Sequence, residues 1–564
     1  MRRARGVAGL IGALALVSAA YALLLFVTGG FDTDVFGLRL RSRAWERPAA
    51  LAFLLSLIAF SLATRRAFDR GASAWARLDS ASTARWLTAL AIAWALFAGF
   101  RYGTFAAGGA DSFGYVSQAQ LFARGALTDD VPMRPEFTWR DASVSLIPLA
   151  YRPAAQPGRM APVYPPGLPL LMSALQPLGE AAMYAVIPVL GAVLVLCVAA
   201  TGRRLGDQLA GAVAAVCLSV SATFLLMHFS PMSDVPVTAM WLGSILCASA
   251  TWRGSHALAG ALAGAAVLTR PNLAPLAVFV GALTMAGAHP RVRSLAAFSL
   301  PLFGAVIVLL WIQWHRYGDP FLSGYGTAGE LFAFAHVVPN LASYAARVTA
   351  IYTPLVWLWL AGPALTTRVP SRAFLWAVLF VIAAVWLAYL PYLPFEAWFF
   401  TRFLLPAIPL MLVLAAAVMM AGVRRLPVWL RPAATVALVV FFASVLAGES
   451  RRRAVFESAT LEQKYPDAGR YVRDHLVADS YVLASQHSGS VRLYSGRPTI
   501  RWDVVGGDQL DTVIRSVRGT GAQIYVVADD DELAAFASHF GGQPAVQRLR
   551  RLARFGQAGV YAIE

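Results

Sequence analysis

"AMYAVIPVLGAVLVLCVAATGRR", Ala182 to Arg204, holds no acid or base until it stops on Arg203-Arg204. A helix needs about 20 mostly apolar residues to cross a hydrocarbon core of ~30 Å, and this stretch has that character. Similar runs recur at Val7–Val27, Pro48–Ala63, Trp86–Phe100, Leu295–Trp311, Phe374–Leu393, Phe403–Gly422 and Ala433–Gly448. Of the 564 residues 58% are hydrophobic and only 14% charged, with a mean hydropathy of +0.60. A soluble domain carries roughly a quarter charged residues. Helices satisfy their own backbone in lipid, so the expected fold class is a polytopic α-helical membrane protein.

The net charge of +17 does not argue for nucleic acid. Every basic residue except Lys464 is an arginine, and many cluster in short loops between apolar runs, as the positive-inside rule requires. Cys197, Cys217 and Cys247 all lie inside apolar runs, with no disulfide or metal-ligand spacing. Met1–Arg5 is basic and places the N-terminus in the cytoplasm, with the first run a retained anchor rather than a signal peptide. Alternating the runs against their basic loops gives about thirteen crossings, the short spans His256–Thr269 and Asn272–Gly287 among them. That order leaves Arg101–Pro165 and everything after Gly448 outside. The chain therefore divides into a membrane domain, residues 1–448, with a large outer loop at 101–165, and an extracytoplasmic α/β domain, residues 449–564. In the latter, helices are expected at Leu461–Leu476, Leu510–Val517 and Asp530–Phe540, and strands at Tyr481–Ser485, Gln523–Ala528 and Val560–Ile563.

The outer loops carry the chemistry. In "ADSFGYVSQAQLFARG", Ala110 to Gly125, helical spacing puts Asp111, Tyr115 and Gln118 on one face. A helix lying at the membrane surface, its apolar side in lipid and its polar side toward a cavity, would look this way. A solvated juxtamembrane helix would too.

The order of several further motifs resembles the GT-C glycosyltransferases, in particular glycosyltransferase family 39 and its bacterial relatives. "YPPGLPLL" begins at Tyr164, and "HFSPMSDVPVTAMW" spans His228–Trp241 with Asp234 opening a helix. "LAGALAGAAVLTRPNLAPL" spans Leu258–Leu276 with Arg270 before Pro271. "YGDPFLSGYG" spans Tyr317–Gly326, and "TRFLLPAIPLML" spans Thr401–Leu412 with Arg402 leading. Members often show Asp-Glu where this chain has Asp111-Ser112, so a metal-bridged pair of carboxylates is not supported by the sequence; no cofactor is certain, and a divalent metal stays open.

The resemblance implies an inverting transfer of a monosaccharide from a polyprenyl-phosphate carrier to an acceptor hydroxyl, at the outer face of a bacterial inner membrane. Asp111 would take the acceptor proton, and arginines would hold the leaving phosphate, for which their planar fork is suited. Arg270 and Arg402 are the candidates, with interfacial snorkelling the alternative for each and weightier for Arg402. Asp234 is either an acid at its helix N-terminus or an acceptor contact. Tyr115, Gln118 and Tyr164 complete the expected substrate-binding set, Tyr164 chiefly by shaping the helix that follows. The acceptor is a lipid, a glycan or a protein. In the soluble domain Ser485–Asp503 follows a strand and suits either acceptor binding or packing onto the membrane domain. A transporter would line a mid-membrane path with charge, which the inferred helix interiors lack. A polysaccharide polymerase or ligase shares the compartment and the lipid carrier and stays open on sequence alone.

Overall fold

The structure, a computed structural model, describes residues 11–15, 17–19, 21–22, 25, 31–35, 38–42, 44–61, 65–286 and 291–564. Much of the first expected span, Val7–Val27, lies outside the described residues, as do His289-Pro290 of one basic loop. Among the described residues, five helices are long and apolar enough to cross a membrane: Ala81–Tyr102, Glu180–Arg204, Arg291–Tyr317, Arg372–Tyr389 and Arg431–Arg452. Three bent pairs raise the number to eight if each pair is one span.

The expected thirteen crossings are thus not confirmed, for two reasons visible in the chain. First, apolar runs are broken. Gln208–Ser219 and Ala222–Phe229 meet at 60°, Trp398–Leu404 and Ile408–Val423 at 83°, and Phe334–Tyr352 and Pro354–Thr367 at 103°. At the sharpest bend Thr353 takes φ 65° immediately before Pro354, a residue that cannot donate into the preceding helix. Second, Ser255–Thr269 and Leu276–Ala286 are only 15 and 11 residues long. At 1.5 Å per residue, neither reaches across a core of ~30 Å.

Glycines let these helices close up without a driving force from water. A Cβ at Gly202 would run into the backbone of Gly211, so Glu180–Arg204 and Gln208–Ser219 touch there. Gly260 likewise meets the backbone of Phe298 on the long helix Arg291–Tyr317. One end of the bundle is tied by Arg424, which pairs with Asp207 and reaches Asp79 at 3.0 Å. The helix Arg431–Arg452 starts at that end and delivers the chain to the C-terminal domain at the other.

That domain is a five-stranded mixed sheet in the order Thr499–Ile500, Ser480–Leu483, Gln523–Asp529, Ala558–Ile563, Leu549–Phe555. The first three strands are parallel and the last two antiparallel. Helices at Lys464–His475, Leu510–Gly519 and Asp530–His539 fall where the sequence places them. The Ser485–Asp503 stretch differs from the expected loop. It contains the helix Ser488–Ser495 and an edge strand, and the helix packs on the outer loop, with Gly489 against the Phe113 ring.

The 101–165 loop is itself folded. A three-stranded antiparallel sheet (Asp129–Asp130, Arg159–Pro162, Tyr151–Pro153) braces it. Phe137, Trp139 and Leu146 enter one apolar core with Tyr481, Trp502 and Phe540 of the C-terminal domain. Backbone contacts reinforce the union, with the Arg501 amide donating to the Ser145 carbonyl at 2.6 Å. The 101–165 loop and the last hundred or so residues therefore form a single layer capping one end of the bundle.

Candidate active site

Between that layer and the helices lies a cavity of about 1330 Å³. The helix Gly109–Ala123 begins on its wall. Gly109 takes φ +55°, a left-handed turn that glycine adopts freely, and this brings Asp111 into the first helical turn facing the cavity. An acid is favoured at that end of a helix, where free amides make the local potential positive. Asp111 keeps 34% of its side chain exposed. Its Oδ2 meets Arg402 Nη2 at 2.9 Å, and its Oδ1 accepts the Tyr164 hydroxyl. Burial first, and then the Asp111 charge, hold the Tyr164 phenol well above its ordinary pKa, so it remains a donor to the carboxylate.

A second charged pair stands beside the first. Arg270 Nη2 contacts Asp234 Oδ1 at 2.6 Å, its Nε donates to Ser233 Oγ at 3.2 Å, and its Nη1 donates to Tyr389 Oη at 3.1 Å. Ser233 Oγ also accepts from Tyr115 Oη at 2.9 Å, which links this cluster to the Asp111 helix. Phe403 lies between the two guanidinium groups, its ring centroid 5.8 Å from Arg270 and 5.5 Å from Arg402. Tyr389 stacks on that ring at 5.1 Å. The aromatic faces hold both cations in place without consuming their N–H donors. Arg402 commits one Nη2 contact to Asp111, and its Nε has no partner among the described residues. It is the freer of the two to bind an anion.

Six of the seven sequence-selected residues cluster here, and the structure assigns them different positions. Asp111, Tyr115, Tyr164, Arg270 and Arg402 line the cavity. Asp234 does not: its side chain is 0% exposed and sits behind Arg270, with Oδ2 unpartnered among the described residues. It orients the arginine instead of meeting a substrate. Gln118 is corrected too. It is fully buried, away from the cavity lining, and with its amide oriented to satisfy its neighbours it accepts from both Arg316 Nη atoms at 3.0 Å. The shared helical face was real, but the helix is enclosed on nearly every side, so lying on that face does not mean facing the cavity. His228 is buried in the helix Ala222–Phe229 with Nε2 on the Ala95 carbonyl at 2.8 Å.

Sequence reasoning missed Tyr325, Tyr389, Phe403 and Glu462, all in the cavity wall. Tyr325 lies within the quoted "YGDPFLSGYG", and Phe403 follows Arg402 directly, so proximity to motifs could have flagged both. Glu462 has no such signal. Among the described residues no cluster of three or more His, Cys, Asp or Glu side chains is placed to hold a metal ion.

The fold is that of the GT-C membrane glycosyltransferases, matched at a TM-score of 0.51 by ArnT from Cupriavidus metallidurans in the apo state, with 13% identity over 86% of this chain and 99% of that one. The same protein bound to undecaprenyl phosphate matches at 0.50, with 12% identity over 84% and 98%. The arabinofuranosyltransferase AftD from Mycobacteria matches at 0.50, with 15% identity over 85% of this chain and 41% of that one. Residues 163–315 match the family described as dolichyl-phosphate-mannose-protein mannosyltransferase. No curated protein matches the sequence.

Proposed function

We propose that the chain is an inverting glycosyltransferase that moves a monosaccharide from a polyprenyl-phosphate carrier to an acceptor hydroxyl. The observation that carries this reading is the juxtaposition in one cavity of a partly exposed carboxylate, Asp111, with two aromatic-flanked guanidinium groups. In the reaction, Asp111 takes the proton of the acceptor hydroxyl as that oxygen bonds to the anomeric carbon. The bond from the same carbon to the phosphate oxygen breaks with its electron pair, and the lipid phosphate departs toward Arg402 and Arg270. Attack opposite the leaving group inverts the centre. Apolar wall residues such as Leu309, Ile312 and Phe321 give the lipid a path into the cavity.

Because Arg402 pairs with Asp111 in the free protein, an arriving phosphate competes for the guanidinium and releases the base. Donor binding would therefore prepare the carboxylate for the acceptor. Arg402→Ala removes one charge-assisted contact, worth about 1.5–3 kcal/mol, so affinity for undecaprenyl phosphate should fall roughly 10- to 150-fold. Arg402→Lys should recover only part, since an ammonium cannot reproduce the fork. Native mass spectrometry of the purified protein with undecaprenyl phosphate would measure both. Unchanged affinity in Arg402→Ala would remove this residue from the phosphate site.

The reading also requires the cavity to open on the outer face of a bacterial inner membrane, with the Arg424 end cytoplasmic. Ser538, exposed at the end of the helix Asp530–His539, and Ser73, exposed on the helix Arg65–Leu78 next to Asp79, mark the two faces. In spheroplasts, Ser538→Cys should react with a membrane-impermeant thiol reagent and Ser73→Cys should not. The reverse pattern would invert the topology.

A further inference from the structure

The C-terminal domain contributes its own acid to the cavity. Glu462 ends the short helix Ser458–Glu462, is half-buried, and lines the wall together with Ser458 and Gln486. Its Oε2 occupies the space that a Cβ on Gly108 would need, so the carboxylate rests directly on the start of the Asp111 helix. Gly108 and Asp111 are one helical turn apart, which places the two acids at the same end of the same helix.

Glu462 makes no hydrogen bond or ion pair among the described residues. The nearby cations are engaged elsewhere. Lys464 pairs with Asp529, which is held in turn by His487 Nε2 at 2.9 Å. Arg453, on the same wall, pairs with Glu449 at 3.3 Å and lies over the Trp398 ring at 4.8 Å. Burial raises the Glu462 pKa, Lys464 opposes this, and Asp529 adds to it. A half-buried carboxylate without protein donors takes them from water or from a ligand that enters the cavity.

The chemistry of the wall selects the ligand. A second anion is disfavoured by Glu462 itself, and the nearby cations are already paired, so the groups the wall offers a ligand are acceptors and neutral polar atoms. Neutral O–H donors suit the carboxylate, the Gln486 amide and the Ser458 hydroxyl. We infer that Glu462 forms an acceptor subsite that takes a neutral polyhydroxylated group and holds one of its hydroxyls toward Asp111. The inference rests on the transferase reading and extends it to the acceptor, as a positioning and specificity residue distinct from the base.

The test uses the full-length protein in nanodiscs. Methyl glycosides of mannose and arabinofuranose serve as hydroxylated probes, titrated by saturation-transfer NMR, with undecaprenyl phosphate binding followed in parallel. Glu462→Ala should weaken glycoside binding about tenfold or more, and Glu462→Gln by less because an amide oxygen still accepts. Both variants should bind undecaprenyl phosphate as the wild type does. Wild-type glycoside affinity in Glu462→Ala would overturn the subsite, as would a wild-type protein that binds the lipid phosphate but neither glycoside. A wild-type protein that binds the glycosides through Glu462 but not undecaprenyl phosphate would support the subsite and sink the lipid-phosphate reading.

Discussion

Asp111→Asn should lower the rate of sugar transfer about 10²–10⁴-fold and leave the lipid donor bound, the signature of a lost general base. The substitution is sterically mild. Asparagine retains an oxygen for the Tyr164 hydroxyl, and its uncharged amide releases Arg402, which stays free to hold phosphate. What disappears is the proton acceptor beside the anomeric carbon. The matched control is Asp141→Asn in the same outer loop. Asp141 is exposed, makes no capping hydrogen bond, and sits at φ 59°, a conformation asparagine tolerates as well as aspartate. It should be nearly silent. Single-turnover kinetics on the purified proteins separate donor binding from transfer. If Asp111→Asn turned over like the wild type, the base would have to be another acid, and the next carboxylate on the cavity wall is Glu462.

Arg270→Ala should act on stability before it acts on chemistry. Asp234 is completely buried, one of its oxygens has no partner among the described residues, and the other depends on Arg270. Removing the arginine strands that carboxylate in a low-dielectric interior, a change that costs about 3–5 kcal/mol when one partner of a buried pair is deleted. The apparent melting temperature should fall accordingly. Replacing both partners, as in Arg270→Met with Asp234→Leu, should restore most of the stability without restoring donor binding, because no charge is left stranded. Arg402→Ala makes the useful contrast: its partner Asp111 faces the cavity, so its loss should weaken phosphate binding with little effect on melting. A single Arg270→Ala variant that melts with the wild type would mean that Asp234 finds water or another donor, and that the pair is not a structural anchor.

The membrane class was legible in the sequence because long runs such as Ala182–Ala200 tolerate no other solvent, and arginine pairs mark where they stop. The site was legible in part for a different reason. Asp111, Arg270 and Arg402 stand in motifs whose order resembles a known family, and the fold brings them to one cavity although they lie far apart in the chain. Hydropathy reports apolarity but not continuity. It read Val348–Leu365 as one crossing without the turn at Thr353, and it read Leu209–Met227 straight through the bend between Gln208–Ser219 and Ala222–Phe229. Periodicity placed Gln118 on the face of Asp111 but could not show that Arg316 waits there. The union of Phe137 and Trp139 with Tyr481 and Trp502 is purely tertiary, as is the approach of Glu462 to Gly108. Neither leaves a local pattern.

The central claim is that an acceptor hydroxyl, activated at Asp111, displaces a lipid phosphate directly from the sugar. It is tested most directly by giving the purified wild-type protein a set of undecaprenyl-phosphate monosaccharides together with hydroxylated acceptors. The undecaprenyl phosphate released is then counted, and the anomeric configuration of the glycoside formed is read by NMR. Direct displacement predicts one lipid phosphate released per sugar transferred and an inverted anomeric centre. Retention of configuration, or transfer without release of the lipid phosphate, would contradict it.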